Sequence, residues 1–146
     1  MGLQEGCLFA TLKVTTFEFK SHSMKIEVSN GEIIDKLTVL QIKIERIRDE
    51  AKLKNLKNEF EEISKVTSSV LSTSDPLYEA LYKVNCELWD IEDHIRDLER
   101  KKDFGDDFIK TARSVYFKND RRAELKREIN IKTSSGLTEE KSYEKY

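Results

Sequence analysis

The chain has one proline and five glycines in 146 residues. So little backbone punctuation argues against many short strands joined by tight turns and favours long helices. Histidine is almost as scarce: His22 and His94 are the only two. That excludes a di-iron bundle, which needs two Glu-x-x-His motifs, and leaves no Ser/His/Asp set to nominate. The two cysteines, Cys7 and Cys86, lie far apart in unlike contexts. They form neither a disulfide framework nor a zinc site and read as reduced thiols of a cytoplasmic protein. No apolar run approaches the ~18 residues that a membrane span requires. The segment 8–19 is interrupted by Lys13 and Glu18 and makes a poor signal peptide. Gly31 and Gly105 stand alone, so there is no glycine-rich phosphate loop. The formal net charge of -2, with Lys and Arg interleaved among Asp and Glu, lacks the basic surplus of a nucleic-acid binder. The expectation is one domain with no metal, no cofactor, no nucleic-acid partner and no membrane insertion.

What is present is charge set on a helical rhythm: charged residues make up 37% of the chain and hydrophobic residues 38%. Ser29-Asn30-Gly31-Glu32 is a capping box, in which Ser29 accepts from the Glu32 amide and Glu32 reaches back. A first helix follows to about Asp49, with Ile33, Leu37, Leu40, Ile44 and Ile47 on one face and Lys36 and Lys43 at its border. A second helix covers about 51–65 through Leu53, Leu56, Phe60 and Ile63. Its stripe is out of phase with the first, which predicts a turn or kink near Glu50. Residues 67–75, rich in Ser and Thr, read as a loop. Asp75-Pro76 starts a third helix that runs to about Lys102. Its heptad seam is Leu77, Leu81, Val84, Leu88, Ile91, Ile95 and Leu98, flanked by Tyr78, Tyr82 and Trp89. A tight connection around Gly105 leads to a fourth helix over about 107–132. The predicted fold class is therefore all-α, an antiparallel helical bundle of three to four helices.

Domain organisation reads as an N-terminal extension over 1–23, a helical bundle over 24–133 and a polar tail over 134–146. The alternation of Phe9, Thr11, Lys13, Thr15, Phe17 and Phe19 has β character. The reading favoured here takes Met24 as the natural start and 1–23 as an upstream extension; the alternative is a short N-terminal β segment.

The fourth helix carries the sharpest functional clue. Its stripe begins apolar with Phe108, Ala112 and Val115, then falls on Asn119, Arg122 and Lys126 before returning to Ile129. In an up-and-down bundle the end of this helix lies near the start of the first, bringing Lys36 towards Arg122 and Lys126. Lys36, Asn119, Arg122 and Lys126 are thus a candidate site for an anionic small molecule. The competing reading is that Glu32, Asp35 or Glu128 neutralises the cations, or that they project past the core, because unpaired buried cations are costly. Two further pairs, Asp90 with His94 and Glu92 with Arg96, sit at i,i+4 spacing and read as surface ion pairs. Tyr82 and Trp89 are candidate partner-binding residues, the alternative being that they are core.

Several stretches together resemble a family of short, functionally uncharacterised bacterial helical proteins. They are 27–43 with its capping box, Leu88-Trp89-Asp90-Ile91-Glu92-Asp93 with Ile95-Arg96, and Ala112-Arg113-Ser114-Val115-Tyr116. Asn119-Asp120-Arg121-Arg122-Ala123, Lys126-Arg127-Glu128-Ile129-Asn130 and Glu139-Glu140-Lys141-Ser142-Tyr143 complete the set. The resemblance spans nearly all of residues 24–143 and has no counterpart in 1–23. It implies a helical fold and a setting near sugar-transferase and surface-polysaccharide genes, and it transfers no catalytic residue. The function expected is an uncharacterised helical interaction or accessory module linked to surface-glycan assembly, with a protein partner or a second copy of itself. The alternative is a small helical enzyme or ligand-binding bundle for an anionic, sugar-phosphate-like molecule.

Overall fold

The computed structural model describes residues 24–142, so the expectations of an extension or β segment over 1–23 lie outside the described residues. Four helices follow in order: α1 (Asn30–Arg46), α2 (Glu50–Thr67), α3 (Pro76–Lys101) and α4 (Asp106–Lys132). There is no strand among the described residues, and the fold is an all-α bundle.

Local chemistry sets the helix ends. Ser29 Oγ accepts from the Glu32 amide at 3.2 Å, capping α1. The reciprocal half of the capping box is not made, because the Glu32 carboxylate is drawn to Lys126 on α4 at 2.6 Å. The break expected near Glu50 falls at 47–49, where Asp49 caps α2 by accepting from the Lys52 amide. Asp75 caps α3 with Pro76 in its first turn. At the α3–α4 connection it is Lys102, not Gly105, that turns left-handed, with φ of 55°. The Asp103 amide then reaches back to the Leu98 carbonyl at 3.0 Å, closing the helix in a Schellman-type turn. Gly105 has φ of -74° and serves as the N-cap of α4.

Ion pairs fix the directions. Lys118 with Glu87 and His94 with Asp107 are rungs of an antiparallel α3–α4 hairpin. Arg122 with Asp35 and Lys126 with Glu32 set α4 antiparallel to α1, so α1 runs in the same sense as α3. Helix α2 folds back against α1, where Lys36 meets Glu59 at 2.8 Å. Helix α1 therefore packs against all three others. This explains its wide buried arc: Ile34, Asp35, Thr38 and Ile42 are buried in addition to Leu37 and Leu40. The single stripe read from the sequence covered only part of it. The core gathers Ile34 and Leu37 of α1, Leu81 and Leu88 of α3, and Leu125 and Ile129 of α4. On α2, Leu53, Leu56, Phe60 and Ile63 are half-buried, as befits a helix with one neighbouring helix among the described residues.

A close backbone approach joins α1 to α4. A Cβ placed on Gly31 would lie 2.3 Å from the Lys126 carbonyl oxygen. The Gly31 amide, one of the amides at the start of α1 that has no intrahelical acceptor, instead donates to Asn130 Oδ1 at 2.6 Å. The Asn30 amide donates to Ser135 Oγ at 3.0 Å. The first turn of α1 is thus capped from the end of α4 and the tail, and this docking holds the charged stripe of α4 against α1.

Candidate functional site

The charged stripe of α4 meets carboxylates. Asp35, its side chain 4% exposed, accepts from Arg122 through both oxygens: Nε to Oδ1 at 2.8 Å and Nη2 to Oδ2 at 2.5 Å. Asn85 of α3 completes the network by donating from Nδ2 to Asp35 Oδ1 at 2.9 Å and to Thr38 Oγ1 at 2.8 Å. Thr38 in turn donates to the Asp35 carbonyl at 2.7 Å. A planar guanidinium on a carboxylate through two parallel bonds is the strongest ordinary ion-pair geometry. The carboxylate raises the pKa of Arg122 above its ordinary value through that hydrogen bonding, against the opposing effect of burial. Three helices therefore contribute to one polar knot within an otherwise apolar core.

Lys126, 11% exposed, lies one turn further along between Glu32 of α1 and Glu139 of the tail, each at 2.6 Å. Burial alone would lower its pKa; the hydrogen bonds to Glu139 and Glu32 outweigh that, and the net direction is upward. Hydrogen bonding to Lys126 holds the Glu139 carboxyl below its ordinary value. A group with a depressed folded-state pKa stabilises above its unfolded pKa, and that stabilisation is lost as pH falls through the folded pKa. The tail is therefore expected to loosen only when the pH drops below the ordinary carboxylate range. The backbone heteronuclear NOE over 137–142 should fall there and stay high at neutral pH. Glu139→Gln should remove most of that pH dependence; an unchanged profile in that variant would contradict the Lys126 contact.

The four residues of the candidate anion set do not share one pocket. Arg122 and Asn119 line a common groove. Lys36 is turned to α2 and Glu59, and Lys126 is enclosed by its two glutamates. The geometry explains the separation. Successive helical residues are offset by about 100°, so when Asp35 faces α4, Lys36 must face elsewhere. Of the three carboxylates expected as neutralisers, Asp35 and Glu32 take Arg122 and Lys126, whereas Glu128 pairs with Arg121 at 3.1 Å. The Asp90–His94 pair is not formed. Asp90 binds Arg46 of α1, and His94 Nε2 lies 2.9 Å from Asp107 Oδ2. Glu92 and Arg96 do pair, at 3.4 Å.

The groove, of about 490 Å³, runs between α1, α3 and α4. Val39, Ile42 and Leu88 supply its apolar surface, Trp89 an aromatic one, and Asn85 and Arg122 bring the polar knot to it. Arg46 lies over the Trp89 ring, 5.8 Å from its centroid, and helps hold the indole in place. The two aromatic candidates therefore part company. Trp89 lines the groove, whereas Tyr82 packs against the core and donates to Glu45 Oε2 at 2.5 Å. Asp35, Thr38 and Asn85 were not nominated from the sequence. A usable signal existed, since Gly31, Asp35, Thr38 and Ile42 repeat at four, three and four. That stripe, small and polar until it reaches Ile42, is complementary to Asn119, Arg122, Lys126 and Ile129.

A model for a family of unknown function, DUF6165, matches residues 24–146. The chain belongs to the DUF6165 family. Comparison with curated proteins and with solved structures returns no match. The DUF6165 match thus covers all four helices, the groove and the tail residues that close over Lys126. No helix of the described residues is long and apolar enough to cross a membrane.

Proposed function

We propose that this domain is a non-catalytic helical binding module whose working surface is the α1–α3–α4 groove, with Trp89 anchoring a polypeptide partner. The observation behind this reading is the placement of a largely buried, hydrogen-bonded charge network at the foot of a groove with an aromatic wall. Well-packed apolar side chains commonly match or exceed such a network in stability, so stability alone does not account for its presence. Tryptophan and arginine are also the residue types that dominate binding energy at interfaces. Among the described residues no histidine or cysteine lines the groove, so they offer it no nucleophile–base pair of the familiar kinds. The setting we propose is surface-glycan assembly, with the module acting beside its enzymes, as the family resemblance implies.

The test is capture of partners from source cells with the full chain as bait, wild type against Trp89→Ala. The variant is expected to unfold cooperatively, with the helical circular dichroism of the wild type, and to lose the captured partner. A folded variant that retains it would defeat the reading. Sedimentation of the purified chain identifies the case in which the partner is a second copy.

A second reading, a site for an anionic small molecule, rests on Arg122 and Asn119 in the groove; Lys36 and Lys126 are engaged elsewhere. A thermal-shift series with phosphorylated sugars separates the two. A shift that depends on Arg122 and saturates with the ligand favours this second reading.

A further inference from the structure

The charges along the groove are unevenly spent, and their spacing specifies what would fill it. Arg122 uses two of its five N–H donors on Asp35. Its side chain is 31% exposed, and no other acceptor for it is found among the described residues. Asn119, one turn earlier on α4, stands beside it; its side-chain amide donates to the Val115 carbonyl at 3.1 Å. This end of the groove presents unspent donors on a guanidinium that the buried Asp35 fixes in direction. The other end presents Asp93, which has no cationic partner among the described residues, while Glu92 and Arg96 satisfy each other. Asn85 marks the Arg122 end, because both bind Asp35. Asp93 lies eight residues further along α3, about 12 Å at 1.5 Å per residue. Leu88 and Trp89 lie between them.

We infer that the groove takes a polypeptide segment carrying a carboxylate and a basic side chain about 12 Å apart, with an apolar side chain between them against Trp89. The inference rests on the docking reading above and adds the chemistry of the partner. A phosphate would satisfy Arg122 but leave Asp93 unpaired, and a dicarboxylate long enough to reach Asp93 would meet it as a like charge. A free amino acid is too short to reach both ends. An extended chain rises about 3.3 Å per residue, so the acid and the base would stand about four residues apart. In a helix they would stand about eight apart.

Selection of random twelve-residue peptides on the immobilised full chain tests the inference. The enriched peptides are expected to carry an acidic and a basic residue at one of those spacings around an apolar residue. Binding should fall at least tenfold when the acid is changed to its amide. Asp93→Lys, an exposed change that leaves the fold intact, should switch the selected residue at that end from basic to acidic. Arg122→Lys should weaken binding tenfold or more, provided its circular dichroism remains that of the wild type. Peptides that depend on Trp89 but show no acid–base spacing, or no switch with Asp93→Lys, would overturn the inference and leave the docking site standing. If no peptide is enriched, or if those enriched are indifferent to Trp89→Ala, both ideas fail. If 3-phenylpropionate alone shifts the Trp89 indole resonance as strongly as the best peptide, the occupant is a small carboxylate, and the polypeptide inference is wrong.

Discussion

Replacing Gly31 by alanine should cost about 3 kcal/mol or more, the upper end of the overpacking range. The new Cβ would lie 2.3 Å from the Lys126 carbonyl oxygen and 2.9 Å from its carbonyl carbon. Both are backbone atoms of a long helix, so neither can turn aside as a flexible side chain could. Alanine is the better helix former by about 1 kcal/mol, which offsets only part of the clash. Helix α1 would have to move off α4, lengthening the buried 2.6 Å bond from the Gly31 amide to Asn130. Gly136→Ala is the control. Among the described residues nothing lies within 4 Å of its new Cβ, and its effect should stay within about 0.5 kcal/mol. Urea denaturation of both variants gives the comparison, and a Gly31→Ala protein as stable as wild type would contradict the close α1–α4 contact.

Removing Asp35 should strongly destabilise the polar knot. Asp35→Ala withdraws the acceptor of two Arg122 bonds and one Asn85 bond at a position 3% exposed. It leaves a half-buried guanidinium without its counter-charge. Breaking a buried pair by deleting one partner typically costs about 3–5 kcal/mol. Arg122→Met should cost a similar amount from the other side, because it leaves the deeply buried carboxylate without its cation. In the double-mutant cycle the two losses should be far from additive, with a coupling of about 1–3 kcal/mol. Additive losses would mean that the two side chains act independently.

Most of the fold could be read directly from the sequence, because the signals that place helices are local. Ser29, the Asp75-Pro76 start and the seam through Leu81, Val84 and Leu88 each act within one or two turns. The α3–α4 turn was less legible. Glycine is the usual left-handed residue, yet Lys102 takes that conformation while Gly105 caps the next helix. The site was half legible. The change from apolar to basic along α4 was visible, and so were its candidate counter-ions. The partners were harder to assign, because Asp35 and Arg122 meet across 87 positions and the identity of each partner depends on helix rotation. Lys36 shows how fine that margin is: one residue beyond Asp35, it belongs to a different interface. Thr38 and Asn85 read as ordinary polar residues until three helices close around them.

In the function proposed here, the Asp35–Arg122–Asn85–Thr38 network serves binding and not stability. Its most direct test replaces the whole network at once with apolar side chains, Asp35→Leu, Thr38→Val, Asn85→Leu and Arg122→Met in one chain. Stability and partner capture are then measured on the same preparation. The expected result is a protein at least about as stable as wild type, since concerted apolar replacement of a buried charge network is often neutral or stabilising, that no longer retains its partner. A folded quadruple variant that captures the partner as the wild type does would contradict the claim. So would a loss of stability as large as that of Asp35→Ala alone.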